Sequence, residues 1–210
     1  MENKQPQKVK YFEMYFDDEN AKDDELGVYA ISLVDKPAII SHWMAFGEDA
    51  VAEFKFVQLD KSRRIITGAV MIPDMPIKRL DENNLPFYVV ANSDTVEKTA
   101  MRFMKNGLTK AINTKHNSKL VPEGCYIFES FITDKQRGIT EPVGYKKCPD
   151  KTWFVSMHVD NDELYNDFVK TGVLNGFSAE CNYRLVEKES QPESVLQGLE
   201  RIIGNRNTTI

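Results

Sequence analysis

Short runs of alternating apolar and polar positions recur along most of the chain. A strand buried on one face alternates with a period of two, and β-branched and aromatic residues favour it. Runs of this kind, mostly ended by Pro, Gly or Asp, predict strands at 27–34, 52–59, 64–72, 86–91, 110–116, 125–133, 153–159 and 177–186, with a weaker alternation at 8–16. The chain is therefore expected to be rich in short strands.

Three stretches follow the helical period instead. The range 94–106 places four apolar residues on one face, with Ser93 or Asp94 as its cap and a glycine after its end. The range 160–172 opens with a D-x-x-E start signal and also ends on a glycine. A shorter apolar pattern at 195–203 predicts a helix in the tail. Helices and strands are thus intermixed along the chain.

Length and composition bound the architecture. A chain of 210 residues with 41% apolar residues can bury one sizeable core and a small appendage. We predict an α+β fold whose many short strands suit a barrel or sandwich better than a doubly wound sheet. The expected division is a strand with an acidic loop at 1–26, the main domain at 27–187 and a tail with a short helix at 188–210.

Net charge and the number of cysteines limit the expected partners and the expected compartment of the protein. The formal net charge of −5 gives no overall basic surface, so nucleic acid is not an expected partner. Three irregularly spaced cysteines suggest neither a disulfide framework nor a metal knuckle, which favours a reducing compartment. The N-terminal segment lacks the apolar core of a signal peptide, and no run approaches the roughly 18 apolar residues of a membrane span. We expect a cytosolic protein that makes no membrane contact.

The sequence contains no recognisable cofactor or metal motif. It has no H-E-x-x-H, no EF-hand spacing and no glycine-rich phosphate loop. We therefore expect neither a metal nor a cofactor, which leaves the hydroxyl, imidazole and carboxyl groups of the chain as candidates for chemistry.

Ser178 is the most suggestive hydroxyl, in the segment GVLNGFSAEC. It is not in a G-x-S-x-G nucleophile elbow, because Glu180 stands where the second glycine is needed. The hydroxyl is either an ordinary strand side chain or a nucleophile whose base comes from another strand. Of the three histidines, His42 and His158 suit packing roles, whereas His116 ends a strand and can stand at the rim of a sheet.

A set of motifs in fixed order extends the residue-level interpretation. GVYAISLVDKPAI, RIITGAVMIPDMPIKR, an amphipathic helix, KHN, CYIFESFITD and the segment from KTWFVSMH to NGFSAE together resemble the XkdF-like serine peptidase family of tailed phages, over roughly 27–183. That family is related to phage prohead proteases and herpesvirus assemblin. The resemblance implies a closed or nearly closed β-barrel flanked by helices, with Ser178 as nucleophile and His116 as general base.

The third catalytic group departs from the wider pattern. Prohead proteases carry an acidic residue in a motif like AISLVDKPA after the serine strand, but here that segment lies near the N-terminus and has Ala30 at the acidic position. This indicates a circular permutation of the barrel and leaves three candidate acids. Glu129 is first, because its strand could pair beside His116; Glu180 shares a strand face with Ser178 by the period of two; and Asp35 ends the permuted strand. A dyad without an acid also remains open.

The function implied by the resemblance is capsid maturation. Such a serine endopeptidase would act inside the phage procapsid in the host cytoplasm, cutting scaffold and major capsid proteins and also itself, with self-association as a further expectation. The acidic loop and the tail are the expected sites of self-cleavage. Two alternatives stay open: a catalytically inactive structural or scaffold-type head protein with the same fold, and a tail or morphogenesis factor that binds partners through strand edges.

Overall fold

The computed structural model describes residues 10–16, 26–36, 55–60, 62–145 and 148–188. His42, the acidic loop at 17–25 and the predicted tail helix lie outside the described residues. Within them the chain forms eleven strands: β1 (Lys10–Tyr15), β2 (Gly27–Val34), β3 (Val57–Asp60), β4 (Ile65–Met71), β5 (Ile77–Leu80), β6 (Pro86–Ala91), β7 (Ile112–Thr114), β8 (Tyr126–Ile132), β9 (Trp153–His158), β10 (Gly176–Asn182) and β11 (Arg184–Lys188).

Few helices accompany these strands. The described residues contain one regular α-helix, α1 (Ser93–Lys105), two short 3₁₀ turns at Leu108–Lys110 and Lys135–Arg137, and a π-helical segment at Leu164–Val169. None of the helices described is long and apolar enough to cross a membrane. The fold is therefore mainly β.

The strands form three separate sheets. Sheet 1 has the order β11-β1-β6-β5, sheet 2 the order β10-β2-β7, and sheet 3 the order β3-β4-β9-β8. A barrel requires the first and last strands of one sheet to pair, and none of these sheets closes in this way within the described residues. The prediction of a closed or nearly closed barrel flanked by helices is therefore wrong.

The segment predicted as one strand at 177–186 is divided between two of these sheets. The chain leaves the strand conformation at Tyr183, so that β10 lies in sheet 2 and β11 in sheet 1. The Tyr183 hydroxyl is 2.6 Å from the Thr99 hydroxyl on α1, which anchors the chain where it changes sheets. Alternation by two specifies a half-buried strand but not the sheet in which it pairs.

Helix α1 packs its apolar stripe onto the core. Val96 and Phe103 are fully buried, and the Phe103 ring meets that of Trp153 at 5.4 Å between centroids. Its cap is Asn92, whose side-chain oxygen accepts a hydrogen bond from the Thr95 amide at 2.8 Å. The cap therefore lies one residue before Ser93 and two before Asp94, the two positions predicted from the sequence.

Sheet 2 has one apolar and one polar face. Ile31 and Leu33 of β2 and Phe177 of β10 are buried in the core. Phe177 packs 5.6 Å from the Phe56 ring and against Gly68 of β4, where an added Cβ would lie 3.0 Å from Phe177 Cδ2. Because successive side chains of a strand alternate between faces, the residues between these apolar positions project to the opposite side of sheet 2.

Candidate functional site

A row of three buried polar residues crosses the polar face of sheet 2. Ser178 of β10 lies opposite Ser32 of β2, and Ser32 is in register with Asn113 of β7. Their relative exposures are 5%, 0% and 3%. Directly opposed residues have Cβ atoms about 5 Å apart in a sheet, so the row places the two serine side chains side by side.

The turn after β7 brings His116 to the same row. The His116 amide donates a hydrogen bond to Ser32 Oγ at 2.8 Å, and the Lys115 amide donates to the Leu33 carbonyl at 2.9 Å. The turn closes with the Asn117 amide bonded to the Thr114 carbonyl at 3.0 Å. Ser32 therefore contacts the backbone of His116 on one side and faces Ser178 on the other.

This turn holds two successive non-glycine residues in the left-handed region. Lys115 has a φ of 53° and His116 a φ of 56°, as in a type I′ turn. Most L residues adopt this backbone region only at a cost in conformational energy. They are found in it where surrounding contacts hold the backbone in place. Here the bonds to β2 supply that restraint, and the strained turn directs the imidazole over sheet 2.

The carboxylate of Glu180 lies against the imidazole. His116 Nδ1 is 3.2 Å from Glu180 Oε1, and the same oxygen accepts a hydrogen bond from Asn113 Nδ2 at 2.8 Å. The His116 side chain is 49% exposed whereas that of Glu180 is 13% exposed. With Nδ1 facing the carboxylate, Nε2 is the ring nitrogen that remains for another partner.

A β-bulge adds a further residue to this cluster. Glu180 pairs with Ala30 and Cys181 with Val28, so Tyr29 is an extra residue on β2. The Tyr29 hydroxyl lies near the Glu180 carboxylate, and burial together with this neighbouring charge raises the pKa of Tyr29. Tyr29 is thus held as a neutral donor beside the carboxylate.

Ser178 adjoins a small, mostly apolar cavity. Met14, Met71, Ile77 and Arg79 are among the residues that line it together with Ser178. Cys181 also borders the cavity, and burial raises the pKa of its thiol to about 11. The thiol therefore remains protonated near neutral pH, so the nucleophilic thiolate form of Cys181 is not available here.

The other predicted acids lie elsewhere. Glu129 of β8 accepts a short hydrogen bond from Ser156 of β9, in sheet 3. Ser156 is in turn 2.8 Å from the Thr67 hydroxyl, so Glu129 belongs to a chain of polar groups in that sheet. Asp35 lies exposed just after β2. Of the three candidate acids, Glu180 is the one that the structure brings to His116.

His158, which was predicted to pack, lies in sheet 3 as well. Its ring centroid is 5.5 Å from that of Tyr126. Its Nδ1 atom is buried without a hydrogen-bond partner among the described residues. Within the same described ranges, no group of three or more His, Cys, Asp or Glu side chains is arranged to hold a metal ion.

Sequence reasoning missed three members of the cluster. Ser32 and Asn113 had a usable signal, because each places a polar residue inside a short apolar strand, in AISLV and in AINT. Tyr29 had none, since its position depends on a bulge that the alternation of β2 does not indicate.

A serine, an imidazole and a carboxylate on the far ring nitrogen are the components from which serine hydrolases are built. The family comparison agrees with this chemistry. The chain belongs to the family described as "Putative phage serine protease XkdF", whose sequence model matches residues 53–187, more than half of the chain. The resemblance drawn from the motifs is thereby confirmed. Comparison with curated proteins and with solved structures gives no match.

Proposed function

We propose that the protein is a prohead serine endopeptidase, which cuts the scaffold and major capsid proteins of a phage and also its own chain. The observation that carries this proposal is the junction at Ser32. Ser32 faces Ser178 across the strand pair and binds the backbone of His116, whose ring meets Glu180. The family match supports the protease class, and the prohead substrates are our proposal.

Each group has a defined role in the proposed reaction. Ser178 Oγ attacks the scissile carbonyl carbon and forms a C–O bond, while its proton passes to Nε2 of His116. The tetrahedral intermediate collapses, the C–N bond breaks, and the imidazolium returns the proton to the leaving amine. Water then hydrolyses the acyl-enzyme with His116 as base. The negative charge of Glu180 stabilises the imidazolium that exists between these steps.

Confinement suits such an enzyme. Inside a procapsid in the host cytoplasm, scaffold and capsid chains would be held at very high effective concentration, so modest affinity for each cleavage site would suffice. The same confinement would bring copies of the protease together, which favours cleavage of one copy by another.

Co-expression with the scaffold and capsid proteins of the same phage tests the proposal. Wild type and Ser178→Ala are compared, and intact mass spectrometry of every product locates each cut. Ser93→Ala is the matched control, because Asn92 and not Ser93 caps α1. We expect defined fragments with wild type and Ser93→Ala, and intact chains with Ser178→Ala. Identical products from all three proteins would reject the protease and favour an inactive head protein of the same family.

A further inference from the structure

The Glu180 carboxylate is held by more than its contact with His116. Asn113 donates to Oε1 at 2.8 Å, and the Tyr29 hydroxyl lies within reach of the same carboxylate. A carboxylate that accepts several hydrogen bonds is fixed in orientation, and each charge-assisted bond is stronger than a neutral one. The position of the acid opposite the imidazole therefore depends on Asn113 and Tyr29 as well as on the ring itself.

Asn113 donates to the carboxylate while its own side-chain oxygen stays unpaired. Its side chain is 97% buried, being 3% exposed, and its Oδ1 atom has no hydrogen-bond partner among the described residues. The amide cannot turn round to satisfy that oxygen, because the carbonyl would then face the carboxylate. Most buried polar atoms in proteins are paired, and an unpaired one calls for an explanation. The unpaired oxygen is explained by the orientation of the amide, which directs Nδ2 at Glu180.

Tyr29 reaches the carboxylate because of the bulge. By strict alternation Tyr29 would share the face of Ile31, which is fully buried in the core. The extra residue reverses the alternation, so that Val28 enters the core and Tyr29 is 49% exposed. Bulges near functional sites commonly redirect a side chain in this way. The hydroxyl of Tyr29 consequently lies on the polar face, beside Glu180.

We propose that Asn113 and Tyr29 are positioning residues that clamp the Glu180 carboxylate against Nδ1 of His116. This inference rests on the proposed function, since it assigns their effect to the protease reaction. The clamp keeps the proton of the neutral imidazole on Nδ1 and thereby leaves Nε2 free to accept the proton of Ser178. Loss of the clamp should lower kcat and leave KM nearly unchanged, because the imidazolium forms only after substrate is bound.

The test compares Tyr29→Phe and Asn113→Ala with wild type. Tyr29→Phe removes one hydroxyl from a half-exposed side chain, so it preserves the fold even where Asn113→Ala does not. Tyr126→Phe is the matched control, because Tyr126 is a comparably exposed tyrosine of sheet 3. The substrate is a peptide that spans a cleavage site mapped by co-expression. We expect kcat to fall about 3- to 10-fold for Tyr29→Phe and about 10- to 100-fold for Asn113→Ala, with KM within about 2-fold of wild type.

A second readout does not depend on activity. In the Ser178→Ala background, ¹⁵N NMR reports which nitrogen of His116 carries the proton, and the signals are assigned by their loss in His116→Gln. We expect the Nδ1–H tautomer in the parent and a larger Nε2–H fraction after Tyr29→Phe or Asn113→Ala.

The two readouts separate the two hypotheses. If Ser178→Ala abolishes cleavage while Tyr29→Phe matches Tyr126→Phe in kcat and leaves the tautomer unchanged, the clamp is overturned and the protease stands. If Ser178→Ala cleaves like wild type, the protease reaction fails, and the tautomer shift alone decides whether Asn113 and Tyr29 hold Glu180 against the ring.

Discussion

Replacement of Glu180 by Gln removes one charge from the site and keeps its shape. The amide oxygen of the glutamine can still accept from Asn113 Nδ2 and from His116 Nδ1, which both point at Oε1 in the wild type. These two hydrogen bonds therefore persist while the negative charge opposite the imidazole disappears. The variant isolates the electrostatic contribution of the acid to the reaction.

The size of that contribution follows from the 3.2 Å separation of Nδ1 and Oε1. Two unit charges at this distance attract by about 5 kcal/mol at an effective dielectric constant near 20 and by about 1.3 kcal/mol in water. His116 is 49% exposed, which places the pair in the lower half of this range. Since the imidazolium exists only during the reaction, we expect kcat to fall roughly 10- to 300-fold, at about 1.4 kcal/mol for each tenfold step.

The assay is the turnover of a peptide that spans a mapped cleavage site, with Glu129→Gln as the matched control. Glu129 is also a carboxylate bonded to a neighbouring polar side chain, but that neighbour is Ser156 in sheet 3. We expect Glu129→Gln to retain nearly wild-type kcat. A Glu180→Gln enzyme within 2-fold of wild type, with Glu129→Gln strongly impaired, would refute the assignment and return the third role to Glu129.

Three further substitutions test what stabilises the fold. Lys115→Gly replaces a residue with a φ of 53° by one that adopts this conformation freely. The free energy of unfolding measured in urea should therefore rise by about 0.5–1 kcal/mol. Lys151 beside Asp134 lowers the pKa of that carboxyl, so the ionised form stabilises the fold above pH about 4 and this stability is lost as the pH falls through the lowered value. Asp134→Asn should therefore lower Tm at pH 7, and the deficit should shrink in acid. Gly68→Ala places a Cβ 3.0 Å from Phe177 Cδ2, and we expect the free energy of unfolding measured in urea to fall by about 1–3 kcal/mol.

Each of these results has a contrary outcome. Lys119 lies in the loop that follows the turn. If Lys119→Gly raises the free energy of unfolding as much as Lys115→Gly does, the left-handed backbone at Lys115 is not the cause. A Tm deficit of Asp134→Asn that is the same at pH 2.5 and pH 7 would contradict an electrostatic origin. If Gly68→Ala unfolds at the same urea concentration as wild type, the predicted crowding of the new Cβ against Phe177 does not occur.

Much of the secondary structure was predictable from the alternation of apolar and polar residues. The strands that hold Ile31 and Trp153 were predicted within one residue of their observed bounds, because burial on one face imposes alternation on the sequence itself. The strand β5 (Ile77–Leu80) was missed, since IKRL carries two basic residues in a run of four. Its place at the edge of sheet 1 explains this composition, because charged residues suit an edge strand.

Local chemistry in the sequence was sufficient to name Ser178 and His116 as candidates, whereas their roles as nucleophile and base came from the family resemblance. It was also sufficient to place the chain in its family through the order of its motifs. Both depend on residues close together in the chain.

The tertiary structure alone decided which strands pair and which acid meets the imidazole. Glu180 and His116 are 64 residues apart, and their contact depends on β10 and β7 lying on either side of β2. The separation into three sheets and the bulge at Tyr29 likewise depend on pairing between distant segments. Alternation within a strand reports which residues are buried, but it carries no information about the partner strand, and the geometry of the site is set by those partners.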